Sequence, residues 1–192
     1  DVNPGGKLPV TFPRHVGQLP IYYNHKPSGA RSNIYGDYVS EKVSPQYPFG
    51  FGLSYTTFKY SDLKVSAPIA TVGETVDISL KVANTGKVAG DEVVQLYIRD
   101  EYASFPRPVK ELKGYKRVSL QPGQSKHVTF HLPVNMMAFY DADLKLTLEP
   151  GKILVMVGSS SQDIHLNGEF SVVGKKKMPV SDRVFVCPVD VQ

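Results

Sequence analysis

The sequence has 192 residues, 41% hydrophobic and 21% charged, which supplies one sandwich-sized β domain with a further piece to spare. Its 22 basic and 18 acidic residues give a net charge of +4 that is interspersed along the chain, not gathered on the basic face or stripe that a nucleic-acid partner needs. One cysteine, Cys187, excludes an internal disulfide, and no apolar run approaches the roughly 20 residues of a membrane-spanning helix.

Gly 16 and Pro 15 favour many turns over long helices, and residues 1 to about 50 carry much of that punctuation. Asn3-Pro4-Gly5-Gly6, Phe12-Pro13, Leu19-Pro20, Lys26-Pro27-Ser28-Gly29, Tyr35-Gly36 and Tyr47-Pro48 each interrupt regular structure. Only "KLPVTF" and "LPIYYN" read as strand-like. Apolar residues such as Val10, Phe12, Leu19, Ile21 and Tyr22 are scattered between the breaks, so this segment closes no core alone and is expected to lie on another domain. The opening residues are neither a basic-then-apolar signal peptide nor a start at Met, and the chain reads as a soluble piece of a longer polypeptide whose compartment stays open.

From Tyr55 the text alternates with period two, broken by turn signals every eight to twelve or so residues, the signature of a β-sandwich. Phe58, Tyr60, Leu63 and Val65 belong to a first strand. "TVDISLKVANTG" sets Val76, Ile78, Leu80 and Val82 on one face, and Asn84-Thr85-Gly86 turns it. "DEVVQLYIRD" continues with Val94, Leu96 and Ile98, "VKELKGYKRVSLQPGQ" ends in a Pro-Gly turn, and "KHVTFHLP" presents Val128, Phe130 and Leu132. "MMAFYD", "LKLTLEPG", "KILVMVGSSS" and "DIHLNGEFSVV" complete a set of about eight strands. After Gly174 three lysines, Lys175 to Lys177, read as a solvated run. Val184, Val186 and Val189 then offer a short extra strand, a strap or a frayed tail.

Chemistry-bearing residues are dispersed. No second Cys or tight His cluster gives a metal-ligand spacing, and His127 and His131 on one strand lie on the same face about 13 Å apart. "GSSSQD" leads from strand to strand, not into the helix of a nucleophile elbow, and is a turn. The carboxylates fall in turns or on polar strand faces, so none is nominated as catalytic.

Three phrases carry a family resemblance. "DVNPGGKLPVTFPRHVGQLPIYYNHKPSG" resembles the closing section of the α/β-sandwich domain of glycoside hydrolase family 3, the β-glucosidase and β-xylosidase family. "YPFGFGLSYTTF" resembles that family's link into its third domain. "VANTGKVAGDEVVQLYIRD" with "PVKELKGYKRVSLQPGQS" is similar to the fibronectin type III-like domain that follows. The resemblance covers about residues 1 to 173 and implies a mainly β fold: a remnant of an α/β domain and linker over 1–53, a fibronectin type III-like sandwich over 54–173, and a tail over 174–192. It implies retaining hydrolysis of terminal β-linked glucosides or xylosides, without cofactor or metal, by two carboxyl groups about 5 to 5.5 Å apart that the family carries upstream of such a segment. The chain is then a scaffold, inert alone, whose partners are the remainder of the glycosidase, the carbohydrate that enzyme binds and, in a homo-oligomer, its own copies. The alternative, a stand-alone carbohydrate-binding or adhesive sandwich, leaves the strand-poor first 50 residues without a purpose.

Two stretches are candidates for a role at the domain border. Tyr47, Phe49, Phe51 and Tyr55 are read as an interdomain seam, because rings flanking Gly50 and Gly52 bury large apolar area around a tight turn; a sugar-stacking platform would sit exposed on a concave surface instead. Lys26, Ser28, Arg31 and Tyr35 lie in the irregular "NHKPSGARSNIYGDY". They offer hydroxyl-binding groups beside an aromatic ring, either as sugar contacts or as bridges between domains.

Overall fold

The computed structural model describes residues 2–27, 42 and 44–192. Twelve strands follow in order: β1 (Phe58–Val65), β2 (Ile69–Ala70), β3 (Thr75–Asn84), β4 (Gly90–Asp100), β5 (Glu111–Leu120), β6 (Ser125–Pro133), β7 (Phe139–Tyr140), β8 (Leu146–Leu148), β9 (Gly151–Gly158), β10 (Ile164–Val172), β11 (Met178–Pro179) and β12 (Val189–Val191). They form a four-stranded sheet in the order β1-β3-β6-β12, a five-stranded sheet β2-β10-β9-β4-β5, and a small sheet β11-β8-β7. Pairing is antiparallel throughout except between β2 and β10.

The core follows from the alternation. Val76, Ile78, Leu80 and Val82 of β3 face Val128, Phe130 and Leu132 of β6 across paired registers, and all seven are fully enclosed. Val94, Leu96 and Ile98 of β4, Ile153, Val155 and Val157 of β9, and Phe170 and Val172 of β10 supply the opposing sheet. Period-two burial of two facing sheets is what a sandwich requires. The mainly β architecture read from the sequence is the one observed, with more and shorter strands. "MMAFYD" resolves into a 3-10 turn at Val134–Met137 followed by the two-residue β7.

Residues beyond Gly174 are built into the sandwich. Met178 and Pro179 pair with β8, and Val189 to Val191 pair with β6 as the outer strand of the four-stranded sheet.

Candidate functional site

The alternation fails over the longest run on β4. On β4 the core-facing Val94, Leu96 and Ile98 are buried, but so are Gln95 at 3% exposure and Tyr97 at 0%, which point the opposite way. "VVQLYI" is a nearly continuous apolar run, the pattern of a strand covered on both faces. Its second cover is the N-terminal segment. Residues 8–12 and 46–51 run antiparallel, with Leu8 N donating to Phe51 O at 2.8 Å, Gly50 N to Leu8 O at 2.8 Å, and Phe12 N to Tyr47 O at 2.9 Å. Residues 46–51 and Tyr23 lie against the outer side of the five-stranded sheet.

Polar groups and rings fasten that cover. Gln95 Nε2 donates to Gly50 O at 3.2 Å and to Ser159 O at 2.6 Å, and Tyr97 Oη donates to Gln95 Oε1 at 2.6 Å. Ser161 N donates to Phe49 O at 2.9 Å. The Phe49 ring stacks on Tyr23 with centroids 4.2 Å apart, and Tyr23 meets Tyr97 edge-on at 5.9 Å. Burial pushes the Tyr97 phenol far above its ordinary range, reinforced by Tyr23, so the hydroxyl stays a donor at all physiological pH. Lys7 Nζ reaches the buried Glu92 carboxylate at 3.0 Å, and Asn3 Oδ1 accepts from Tyr55 N at 2.6 Å.

The two glycines of the turn are required for different reasons. Gly50 has φ +81°, and a Cβ there would stand 2.1 Å from Gln95 Oε1, so both backbone and space forbid a side chain. At Gly52 the obstacle is space alone, a Cβ standing 2.4 Å from Gly6 O.

The four aromatic candidates are placed unequally. Phe49 and Phe51 are half-buried and Tyr47 is more open. Tyr47 packs at 5.1 Å from Phe51 and edge-on to Phe12 at 6.4 Å. Tyr55 is 72% exposed, and its backbone nitrogen donates to Asn3. Of the polar candidates, Lys26 Nζ donates to Pro106 O at 2.7 Å, while the neighbouring His25 O accepts from Val109 N at 2.9 Å. Both contacts tie the stretch to the 101–110 loop of the sandwich. Ser28, Arg31 and Tyr35 lie outside the described residues. Tyr23, Gln95, Tyr97, Lys7 and Glu92 were not singled out from the sequence, although the unbroken "VVQLYI" is the signal that would have found the doubly covered strand.

Several of the described carboxylates have structural partners. Asp91 pairs with Arg117, Glu111 with Arg107 and Lys113, Asp141 with Lys177, and Glu149 accepts from Ser104. Asp100, at the end of β4, is held up to about 6 by burial, only partly opposed by Arg107 and the Tyr102 amide. Among the described residues no group of three His, Cys, Asp or Glu side chains could hold a metal ion, and no helix is long and apolar enough to cross a membrane. The outer side of the N-terminal cover is apolar: a groove of about 660 Å³ is lined by residues including Pro9, Val10, Leu19, Ile21 and Tyr22.

A two-sheet sandwich carrying a strand-poor N-terminal cover has the architecture of a fibronectin type III-like domain. Residues 92–161 match the fibronectin type III-like domain, and residues 1–55 match the glycosyl hydrolase family 3 C-terminal domain. The chain belongs to glycoside hydrolase family 3, as a C-terminal part of such proteins. It is 49% identical over 162 residues to a β-xylosidase of Formosa agariphila, covering 84% of this chain and 22% of that one. It is 42% identical over 179 residues to a periplasmic β-glucosidase of Salmonella typhimurium, covering 90% and 23%. A crystal structure of a β-glucosidase from Listeria innocua in complex with glucose superposes with a TM-score of 0.81 at 39% identity, over 90% of this chain and 25% of that one. The chain thus spans less than a quarter of the length of the curated relatives named here.

Proposed function

We propose that the chain is the C-terminal scaffold of a retaining β-glycosidase that hydrolyses terminal β-linked glucosides or xylosides, with both catalytic carboxylates supplied by polypeptide outside residues 1–192. The observation that carries this reading is the two-sided N-terminal cover. Its inner side is fastened to β4 through Gln95, Tyr97 and Glu92, while its outer side presents Val10, Leu19 and Tyr22 to solvent. An apolar face of that kind is energetically consistent with contact to further protein. Carboxylates engaged in ion pairs and turn bonds do not suit a nucleophile and acid pair.

On this reading Tyr47, Phe49, Phe51 and Tyr55 form the seam between the two domains. Lys26, Ser28, Arg31 and Tyr35 are the candidates for contact with the parent's sugar, and Lys26 also bridges to the sandwich. The partners are the rest of the glycosidase and, through it, a carbohydrate.

The test is complementation. The 192-residue chain alone is expected to leave aryl β-glucosides and β-xylosides untouched, and to do so without saturable binding of glucose or xylose. Joined to the preceding three-quarters of a family 3 relative, it is expected to restore turnover, and Arg31→Ala in that assembled enzyme to lower kcat/KM by about tenfold. Hydrolysis by the isolated chain, or millimolar sugar binding to it, would overturn the scaffold reading.

A further inference from the structure

The outer face of the four-stranded sheet carries an arrangement that the scaffold role does not use. His131 of β6 lies between two carboxylates from different strands, with Nδ1 2.7 Å from Asp77 Oδ1 on β3 and Nε2 3.2 Å from Asp190 Oδ2 on β12. An ionised carboxylate only accepts hydrogen bonds, and a neutral imidazole has only one N–H to give. Both contacts are therefore satisfied together only by the imidazolium form. Deprotonation leaves one ring nitrogen presenting a lone pair to a carboxylate.

Which contact is lost follows from the geometry. The shorter bond to Asp77 keeps the remaining proton on Nδ1, so the longer bond to Asp190 opens. Asp190 is the only one of the two on β12, a strand of three residues held besides by backbone bonds such as His131 N to Pro188 O at 2.9 Å and Gln192 N to His127 O at 2.9 Å. Short outer strands are the elements that open first in a sheet. We propose that β12 is a proton-sensitive latch: charged His131 clamps it to the sheet through Asp190, and loss of that charge lets it lift.

The other groups on this face do not substitute for the clamp. Lys81 of β3 pairs in register with His127 of β6, two outward-facing positions along from Asp77 and His131, and Lys64 of β1 pairs with Ser79, one outward-facing position from Asp77. The hydrogen bonds to Asp77 and then Asp190 raise the His131 pKa above its ordinary value. A raised value in the folded state means the stabilisation is complete below the unfolded value, near 6.5, and is lost as pH climbs through the folded one. The latch is accordingly shut in mild acid and loosens as pH rises past the raised His131 value.

Beneath the approach to β12 sits a built-in reporter. Cys187 is buried, its Sγ and the Phe130 ring crowding Gly114 of β5, and burial pushes its thiol up to about 11. Lifting residues 187–192 uncovers it. The experiment is thiol labelling of the 192-residue chain with a neutral maleimide from pH 6.0 to 8.5, each rate divided by that of the same chain in denaturant at the same pH. Protection is expected to fall by about fivefold over that range, the contribution of one exposed charge-assisted hydrogen bond. In Asp190→Asn and in His131→Gln it is expected to be low and level with pH. Protection that does not change with pH in the native chain, or a step of the same size surviving in Asp190→Asn, would overturn the latch.

Discussion

Residues 58–172 and residues 2–27 with 44–57 are stabilised in different ways. The sandwich encloses its own apolar residues between two sheets, so its stability rests on non-directional burial spread over many side chains such as Ile78, Phe130 and Val155. The N-terminal cover has no sheet of its own. It is held by a small number of directional contacts, among them Gln95 to Gly50, Tyr97 to Gln95, Lys7 to Glu92 and the Phe49–Tyr23 stack. The first kind of region tolerates the loss of any one polar contact. The second is expected to detach as a unit when a few are removed.

The largest effect should separate the two kinds. Phe130→Ala removes a fully buried ring from the centre of the sandwich and is expected to cost about 4 kcal/mol of global stability, from lost transfer energy plus the cavity left behind. Phe49→Ala removes a half-buried ring stacked on Tyr23 and should cost about 2 kcal/mol. Hydrogen exchange decides whether the distinction holds. Phe130→Ala should weaken protection everywhere, whereas Phe49→Ala should free residues 8–12 and 46–51 and leave β3 and β6 protected. Uniform loss in both variants would mean that cover and sandwich form one cooperative unit.

The same division explains what the sequence disclosed. Strands β3, β6 and β9 were legible because each has one face in the core, and a period-two pattern states that directly. The aromatic turn at 47–55 was legible as a turn, because rings and glycines in alternation favour one, and it lays Phe49 and Gly50 on the sandwich. What covers β4 was not legible. Whether Gln95 and Tyr97 face water or protein depends on where Gly50, 45 positions before Gln95, and Tyr23, far earlier still, travel, and no local period encodes that. The four rings named for the seam differ in how far this chain covers them: Phe49 and Phe51 are half-covered, and Tyr55 stands in solvent. Strand β12 was likewise invisible as a partner of β6, since three residues carry too little pattern to name a sheet.

A smaller effect sits where the two regions meet. Asp100 ends β4 above the loop that His25 and Lys26 grip, and its carboxyl is raised to about 6 by burial. A raised carboxyl destabilises the folded state wherever it must ionise. The folded form therefore loses stability relative to the unfolded as pH rises from about 4, the unfolded value, through about 6. Asp100→Asn is expected to stabilise the fold at pH 7.5 by about 1 kcal/mol or less given partial solvent access, read as a higher melting temperature, and to change it little at pH 4. Equal melting curves at pH 7.5 would show that Arg107 and the Tyr102 amide already compensate the charge.

The smallest effect is the most informative about the cover. Tyr55 has a 72% exposed ring, and its backbone nitrogen donates to Asn3, so Tyr55→Ala removes little that the described residues bury. Its cost in the 192-residue chain should be within about 0.5 kcal/mol, as for other exposed positions without a special role. If the ring belongs to a seam with protein outside this sequence, the same substitution in the assembled enzyme should cost several times more, because a large aromatic enclosed on both sides contributes through its whole area. Thermal melts of Tyr55→Ala in the chain and in the assembled enzyme therefore measure where the seam lies. A small effect in both would confine it to Phe49 and Phe51, and a large effect in the isolated chain would mean that Tyr55 already packs against Asn3 and its neighbours more closely than its exposure indicates.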